Sequence, residues 1–424
     1  MLLAVLLLQF GLTFGPLNLV YAQTAVFEKQ ASKQQSNMRK AIQLIQLHDY
    51  ALARSYLDAV LISPFISNTQ RSRGYYFRGF SYFSQNLFVS AAQDYARSLE
   101  FDPGNKSTLS AVAHLYSQGL GTKKDLALAF EYFLKAARAG HQFSQYSVGL
   151  AYLAGQGVVA NRKKARYWFE SSTSGNNGER DSYAPAYVQL AATYRSEPEP
   201  DVNMAENLYQ KAVALGSADA LVGLAYMHLN GEFNEAGNEN PNLDLAADYF
   251  RQAAGAGSSA GQAGLGYLYQ TGQGLKHSEQ QAVKWYTRAA KAGNDFAQLR
   301  LGEIILKNPS LENSRMALVW FEKAARQGML NARNSVAWLL ATSKHEELRN
   351  GKQAIEIAKI VVVGNSNPSY LDTLAAALAE NGDFDSAISA QEQAIEKLAN
   401  PEELTSLKYK ERLSAYKNGQ PWRE

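Results

Sequence analysis

The sequence contains no cysteine among its 424 residues. This absence excludes disulfide frameworks, thiolate catalysis, zinc sites built on cysteine and lipidation of a cysteine. An excess of charge of one sign is also missing, because 42 Lys and Arg against 39 Asp and Glu leave a formal net charge of +3. No long basic run occurs, so we expect no nucleic-acid partner.

The sequence also lacks clustered metal ligands and a phosphate-binding loop. The six histidines are scattered, and His345 lacks the second histidine that would complete a zinc-binding helix. Gly272 and Gly274 follow an apolar face at helical spacing, whereas a phosphate-binding loop follows a strand. We therefore expect no metal and no cofactor, and we expect Gly272 to end a helix in a left-handed turn.

Residues 1–22 carry no charge and contain the apolar run Leu2 to Leu8, followed by a small-residue ending at Ala22. This pattern predicts a cleaved secretory signal and a secreted or periplasmic protein. A basic region before the apolar run is missing, since the first lysine is Lys29. An uncleaved membrane anchor over residues 2–21 therefore remains an alternative, and only a retained segment would contact a membrane.

A repeat is visible in the spacing of the glycines, and 46% hydrophobic residues supply enough apolar material for a folded array. Aligning the chain with itself superposes glycines at steps of 35 to 41 residues: Gly140, Gly175, Gly216, Gly257, Gly293 and Gly328. Small and aromatic residues precede each one at offsets i, i+3, i+4, i+7 and i+8, as in Ala282, Trp285, Tyr286, Ala289 and Ala290. These offsets trace one face of a helix, where alanine permits close approach and the aromatics fill the space between neighbouring hairpins.

Another helical pattern precedes the helix of alanine and aromatic residues in each unit. In it a glycine, which we expect to lie against the partner helix, comes three residues before a tyrosine, and a Gly-x-Gly turn follows. The positions are Gly149, Tyr152, Gly155 and Gly157 in one unit, and Gly266, Tyr269, Gly272 and Gly274 in another. Length variation is confined to the turns, as expected where turns face solvent and helix faces pack on neighbours.

The segment LGYLYQTGQGLKHSEQQAVKWYTRAAKAG resembles the Sel-1-like repeat, a relative of the tetratricopeptide repeat. The resemblance covers roughly Ser107 to Gly328, and both flanks resemble tetratricopeptide units. It implies an all-α fold, an α-α superhelix or solenoid of stacked antiparallel helical hairpins. We expect a signal at 1–22, tetratricopeptide-like hairpins at 23–105, the Sel-1-like array at 106–328, further hairpins at 329–400 and a capping helix with tail at 401–424.

The resemblance also implies a protein-interaction scaffold that binds a protein or peptide on its concave face. If the first helices line the inner curve, the residues beside the Gly/Tyr pairs contact the partner: Tyr76, Phe80, Phe83, His114, Gln118, Arg195, Met227, His228, Tyr267, Gln270, Glu303 and Lys307. For Tyr76 and Phe80, packing against an adjacent hairpin is an equal alternative.

An envelope enzyme acting on peptidoglycan or β-lactam-like substrates is a rival hypothesis, because some Sel-1-like repeat proteins are associated with that chemistry. The relatives of that branch carry paired cysteines, which this chain lacks. Gly257 to Gly261 matches the Gly-x-Ser-x-Gly pattern around Ser259. A nucleophile elbow requires a strand before the serine, whereas a helical pattern precedes Ser259. We therefore expect no catalytic residue and interpret the protein as non-catalytic.

Overall fold

The structure, a computed structural model, describes residues 16–174, 183–232, 241–364, 367–398 and 404–424. These residues form helices and turns and no strand, which confirms the expected all-α solenoid of paired antiparallel helices. Gly175 and residues 1–15 of the predicted signal lie outside them. The chain divides into two compact units, residues 1–215 and 216–424, and this division falls inside the predicted repeat array.

The described helices follow one another in pairs along both units. The first unit contains α1 Pro16–Gln46, α2 Tyr50–Leu61, α3 Asn68–Ser84, α4 Phe88–Phe101, α5 Lys106–Gln118, α6 Leu126–Arg138, α7 Gln142–Ala154, α8 Arg162–Thr173, α9 Ala184–Arg195 and α10 Val202–Ala214. The second contains α11 Ala218–Leu229, α12 Leu243–Gly255, α13 Ser259–Thr271, α14 Glu279–Lys291, α15 Asp295–Leu306, α16 Leu311–Arg326, α17 Leu330–Thr342, α18 Gly351–Gly364, α19 Pro368–Glu380, α20 Phe384–Glu396 and α21 Leu404–Lys417. A short 3-10 turn, Glu346–Leu348, precedes α18.

A recurring pair of hydrogen bonds closes the turn between the helices of a hairpin. The residue before the second helix accepts a backbone N–H through its side chain, as at Asp125, Asn161 and Ser278. Its own N–H donates to the carbonyl of the first helix's tyrosine, at 2.7 Å for Asn161 to Tyr152 and 2.9 Å for Ser278 to Tyr269. Each second helix therefore begins at a fixed point beside the first.

The first glycine of each Gly-x-Gly turn ends a helix, as expected. Gly119, Gly155 and Gly272 are left-handed caps with φ of 73°, 68° and 76°. Each donates its N–H to the carbonyl four residues back, at Leu115, Ala151 and Leu268. Glycine adopts this conformation without the steric cost that a side chain would carry.

The second glycine of the turn has a different role, which the sequence reading missed. A Cβ at Gly157 would lie 2.0 Å from the carbonyl oxygen of Leu126, and one at Gly274 would lie 2.4 Å from that of Leu243. Both carbonyls belong to the first residue of the second helix in the preceding hairpin. The expectation that these turns face only solvent is wrong at this position, because the turn packs against the neighbouring repeat.

The predicted small and aromatic face of the second helix is buried. Ala282, Tyr286 and Ala289 of α14 have no exposed surface, and they form one cluster with residues of α13 and α15. Trp285 is half-buried and packs against the preceding cluster, around Phe250. The second helix therefore supplies aromatic side chains to the spaces on both sides, as the offsets predict.

The first helices of successive hairpins also contact one another in the second unit. Direct contacts join α11 to α13, α13 to α15 and α17 to α19. The side chains between the buried positions of these helices therefore share one surface. In the described part of the chain, no helix is both long and apolar enough to cross a membrane.

Candidate functional site

The three predicted aromatic contacts on α3 have different environments. Tyr76 is half-buried, with its ring centroid 6.0 Å from that of the buried Tyr95, and burial raises its pKa. Phe83 is also half-buried, 5.5 Å from the ring of Phe88. Phe80 is 38% exposed. Tyr76 is therefore a packing residue, which was one of the two interpretations of its pattern. Part of the Phe80 side chain, in contrast, is exposed to solvent.

The remaining predicted residues of the first unit are only partly brought together. His114 of α5 lies beside Phe83, at 5.7 Å between ring centroids, and burial lowers the pKa of its imidazole. Gln118 is exposed at the end of the same helix and donates to the hydroxyl of Ser117 at 3.3 Å. Arg195 ends α9, two hairpins further along the chain. Phe83 and His114 are thus the pair of predicted residues that the structure brings into contact in this unit.

In the second unit the prediction for Met227 is wrong. Its side chain has no exposed surface, so it belongs to the hydrophobic core and cannot contact a partner. His228 is half-buried, stacked on Tyr249 with 5.6 Å between ring centroids, and burial lowers the pKa of its imidazole. The contact with Tyr249 shows that His228, two residues after Tyr226, faces the second helix of its hairpin, α12. Successive side chains on a helix point about 100° apart, so positions close to the tyrosine can face different neighbours.

Tyr267 and Gln270 of α13 both take part in internal packing. Tyr267 is half-buried against the cluster around Phe250 and Leu265. The Gln270 side-chain oxygen accepts a hydrogen bond from the Tyr286 hydroxyl at 2.9 Å. This bond satisfies a phenol whose ring is fully buried, and burial raises its pKa.

Glu303 of α15 and Lys307, the residue that follows the end of α15, are both exposed. Glu303 accepts from Arg300 at 2.8 Å, and Lys307 pairs with Glu279 of the preceding hairpin. Of the two, Glu303 lines a cleft in the second unit. It is the one member of the predicted set that does so.

This cleft is built mainly by first helices of three consecutive hairpins, α15, α17 and α19, with the closing helix α21. Residues on all four helices, on α16 and in the tail line it: Glu303, Leu306, Phe321, Asn334, Ser335, Trp338, Ser369, Asp372, Thr373, Lys408, Tyr409, Arg412 and Glu424. Its lining combines apolar and polar side chains. Such a mixed surface is typical of peptide recognition.

A buried ion pair forms the base of the cleft. Asp372 is 5% exposed and Arg412 is 6% exposed, and the Arg412 Nε donates to Asp372 Oδ1 at 2.8 Å. Gln391 donates to the same oxygen at 2.8 Å. The guanidinium also lies over the rings of Trp338 and Tyr409, at 5.1 and 4.9 Å from their centroids. Despite these partners, burial raises the pKa of Asp372.

The Arg412 guanidinium packs on the rings of Trp338 and Tyr409, and this contact restrains both side chains. A side chain that is restrained before a ligand binds reduces the ordering cost of binding.

The sequence reading missed these residues, because no short motif joins α17, α19 and α21. One signal existed. Asp372 occurs in the apolar run from Leu371 to Leu378, and a carboxylate on a core-facing side of a helix requires a buried partner. That reasoning leads to a cation elsewhere in the chain but does not identify Arg412.

Ser259 is the first residue of α13, and its surroundings are those of a helix start. Gly257 has φ of 84°, and the Ser258 side chain accepts from the N–H of Gly261. A Cβ at Gly261 would lie 2.6 Å from that of Ala253, so small residues here let two hairpins approach closely. Helix α12 and a turn precede Ser259, as the sequence indicated, instead of the strand of a nucleophile elbow.

Within the described ranges, no group of three or more His, Asp or Glu side chains could hold a metal ion.

Comparison with known proteins explains the repeat. Six consecutive segments match the family model described as the Sel1 repeat: 109–141, 142–177, 184–217, 218–258, 259–294 and 295–329. Each segment covers one hairpin, from α5 and α6 to α15 and α16.

The chain belongs to the Sel1 repeat family.

The cleft lies at the end of this Sel1 array, where α15 and α16 of the last matched repeat meet the hairpins that follow. The six matched segments confirm the resemblance of residues 107–328 to the Sel-1-like repeat. Repeat scaffolds of this type support protein-protein interaction.

The chain is similar to chitin synthase regulatory factor 3 of Schizosaccharomyces pombe, with 23% identity over 338 residues, covering 77% of this chain and 31% of the relative. The Sel1 chain therefore spans about a third of the length of that curated relative. Similar solved structures include a Sel1 repeat protein from Oxalobacter formigenes, with 21% identity and a TM-score of 0.48, covering 59% of this chain and 96% of that one. A protective antigen of uropathogenic Escherichia coli with the same type of fold is 21% identical, with a TM-score of 0.40, covering 93% and 94% of the two chains.

Proposed function

We propose that this Sel1 repeat protein is a non-catalytic scaffold that binds a protein or peptide partner on the surface formed by its first helices. The observation that carries the proposal is the cleft of the second unit, which first helices of three consecutive hairpins and the closing helix line together. A partner segment lying across these helices would contact several repeats at once. Contacts spread over a preformed surface need little ordering on binding.

The chemistry of the cleft supports recognition more than catalysis. The half-buried Trp338 packs on the buried Arg412 and supplies an aromatic surface, Tyr409 is buried beside it, and the polar groups come from separate helices. Aromatic anchors surrounded by polar groups are the usual composition of a binding hot spot.

The experiment is affinity capture from an envelope extract with the wild type and two charge-reversal variants. Lys408→Glu changes the cleft, whereas Lys359→Glu changes an exposed lysine on α18 that does not line it. We expect a protein that is captured by the wild type and Lys359→Glu and lost from Lys408→Glu. Equal capture by all three would place the partner on another surface, and no capture by any would argue against a scaffold in this compartment.

We also propose that the protein works outside the cytoplasm, in the periplasm or after secretion, with residues 1–22 removed. The uncharged apolar start supports this placement. Helix α1 runs from Pro16 to Gln46, through the expected cleavage point after Ala22. N-terminal sequencing of the mature protein separates the alternatives: a start at Gln23 supports the cleaved form, and an intact start with membrane association supports a tethered scaffold.

A further inference from the structure

Residues 418–424 form a tail that turns back over the second unit after α21. Helix α21 ends in a turn in which Gly419 has φ of 66° and the N–H of Gln420 donates to the Ala415 carbonyl at 2.9 Å. A left-handed residue with this hydrogen bond reverses the chain at the end of a helix. The tail therefore lies against helices of its own unit and contacts α19 and α17.

Trp422 provides the apolar contact of the tail. Its half-buried ring packs against a cluster that includes Ala375 and Ala379 of α19 and Tyr416 of α21. The indole N–H is shielded from solvent and has no acceptor among the described residues. Because a shielded donor without an acceptor costs free energy, the tail fits this surface incompletely, which favours its replacement by a segment that fits better.

Arg423 and Glu424 provide the polar contacts. The Arg423 guanidinium pairs with Oε2 of Glu380, the last residue of α19, while Arg349 donates to Oε1 at 3.0 Å. The N–H of Glu424 donates to the Thr342 carbonyl, at the end of α17, at 2.8 Å. Carbonyl groups in the last turn of a helix lack partners within that helix, so they can accept hydrogen bonds from a backbone that lies beside them.

The contacts of the tail are of the kinds that hold a bound peptide in a groove. An aromatic ring covers an apolar surface, the guanidinium of the next residue pairs with a largely buried carboxylate, and a backbone N–H bonds to the end of α17. Glu424 also lines the cleft. The tail thus occupies the end of the cleft that lies beside α17 and α19.

Building on the proposed function, we infer that this end of the cleft recognises a segment in which an aromatic residue is followed by arginine, and that the tail supplies this segment until a partner displaces it. The partner's ring takes the place of Trp422, and its arginine pairs with Glu380. Because the tail belongs to the same chain, its effective concentration at the site is high. It therefore lowers the apparent affinity for the partner.

The test removes the tail from the site and supplies the same segment as a peptide. In Trp422→Ala/Arg423→Ala the tail loses its two side-chain contacts, whereas Gln420→Ala changes an exposed tail residue and is the matched control. A fluorescein-labelled, amidated peptide with the sequence of residues 418–424 is titrated with the wild type and both variants by fluorescence polarisation. A second peptide carries glutamate in place of the arginine. Circular dichroism shows that each variant is folded.

We expect the double variant to bind the first peptide about tenfold more tightly than the wild type and Gln420→Ala do, and to bind the second peptide weakly. Equal affinity of the three proteins for the first peptide would overturn the competition with the tail. Equal affinity of the double variant for both peptides would overturn the pairing with Glu380. If neither peptide binds any of the proteins, the recognition of such a segment is wrong, and the capture experiment above still decides whether the scaffold binds a partner.

The remaining alternative is that the tail binds a second copy of this chain instead of its own. Light scattering of the wild type and the double variant distinguishes the two arrangements. We expect both proteins to have the same mass. A dimer of the wild type that is lost in the double variant would overturn the role of the tail as a competitor within one chain.

Discussion

Gly266 of α13 lies directly against the ring of Tyr286 of α14, so close that a Cβ at position 266 would be 2.6 Å from Cδ1 of the tyrosine. The same relationship joins Gly149 to Phe169 and Gly302 to Phe321, at 2.5 and 2.4 Å from the ring carbons. Each of these three hairpins is therefore closed by an aromatic ring that occupies the space a side chain would need.

This contact predicts a compensating pair of substitutions. Gly266→Ala should lower the free energy of unfolding by about 1 to 3 kcal/mol, because the methyl group overpacks a filled core. Tyr286→Leu should also destabilise the protein, but adding Gly266→Ala to it should cost much less, since the smaller side chain leaves room. Urea denaturation of the four proteins gives the coupling energy. Additive effects would mean that the two positions do not share the space.

The steric role of Gly157, the second glycine of its turn, can be tested by comparison with Gly140, which has nearly the same backbone conformation. Gly140 and Gly157 have φ of 76° and 71°, but a Cβ at Gly140 would meet nothing within 4 Å. Gly140→Ala should therefore cost about 1 to 2 kcal/mol, the penalty of the left-handed conformation alone.

Gly157→Ala should cost more, by a further amount of about 1 to 3 kcal/mol, because the carbonyl of Leu126 cannot move aside as a flexible side chain can. Thermal unfolding of both variants checks this order. Equal losses would show that the turn can shift away from the neighbouring repeat.

Tyr76 and Phe80, two predicted partner contacts on α3, should respond differently to truncation to alanine. Tyr76→Ala removes a ring packed against Tyr95 and should lower the free energy of unfolding by about 2 to 4 kcal/mol. Phe80 is 38% exposed, so Phe80→Ala should cost less than about 1 kcal/mol. Urea denaturation separates the two. A large loss at Phe80 would identify it as a core residue.

The half-buried histidines predict acid sensitivity. Burial lowers the pKa of His114 and His228 below the ordinary value of 6.5. The unfolded chain therefore binds protons more readily than the folded one as the pH falls below 6.5. The associated stability is fully present above 6.5 and is lost as the pH decreases toward the lowered pKa values.

The urea midpoint of the wild type should fall between pH 7.5 and pH 5.5, about the ordinary titration range of histidine. In the double variant His114→Gln/His228→Gln, the change in the midpoint over this range should be smaller. Nuclear magnetic resonance titration of the two imidazoles measures the pKa values directly. Values above 6.5 would reverse the expected slope.

The repeat could be predicted from sequence because its signals are local. The offsets of Ala282, Tyr286 and Ala289 fall on one helical face, and a glycine three residues before Tyr269 indicates close approach of a partner helix. Periodicity determines which positions are buried, and the burial of these residues agrees with it.

The candidate site could not be predicted in the same way. The positions beside a core pair can face a neighbouring hairpin or solvent, and Met227 and Phe80 have opposite environments although the pattern treats them alike. The cleft depends on Asn334, Asp372 and Arg412, which lie in hairpins with weak repeat signals and meet only after the chain has folded. The contact of the turn glycine with the preceding repeat is also a tertiary feature, invisible in the spacing of one hairpin.

The central claim is that the surface of first helices binds the partner, and the absence of cysteine permits a direct test. A single cysteine is introduced in the cleft as Ser335→Cys, or on α20 as Ser389→Cys, and labelled with a photoactivatable crosslinker before exposure to envelope extract. Ser335 lines the cleft, whereas Ser389 is exposed and does not. We predict a specific crosslinked protein from position 335 and none from position 389. The same adduct from both positions, or an adduct from position 389 alone, would contradict the account.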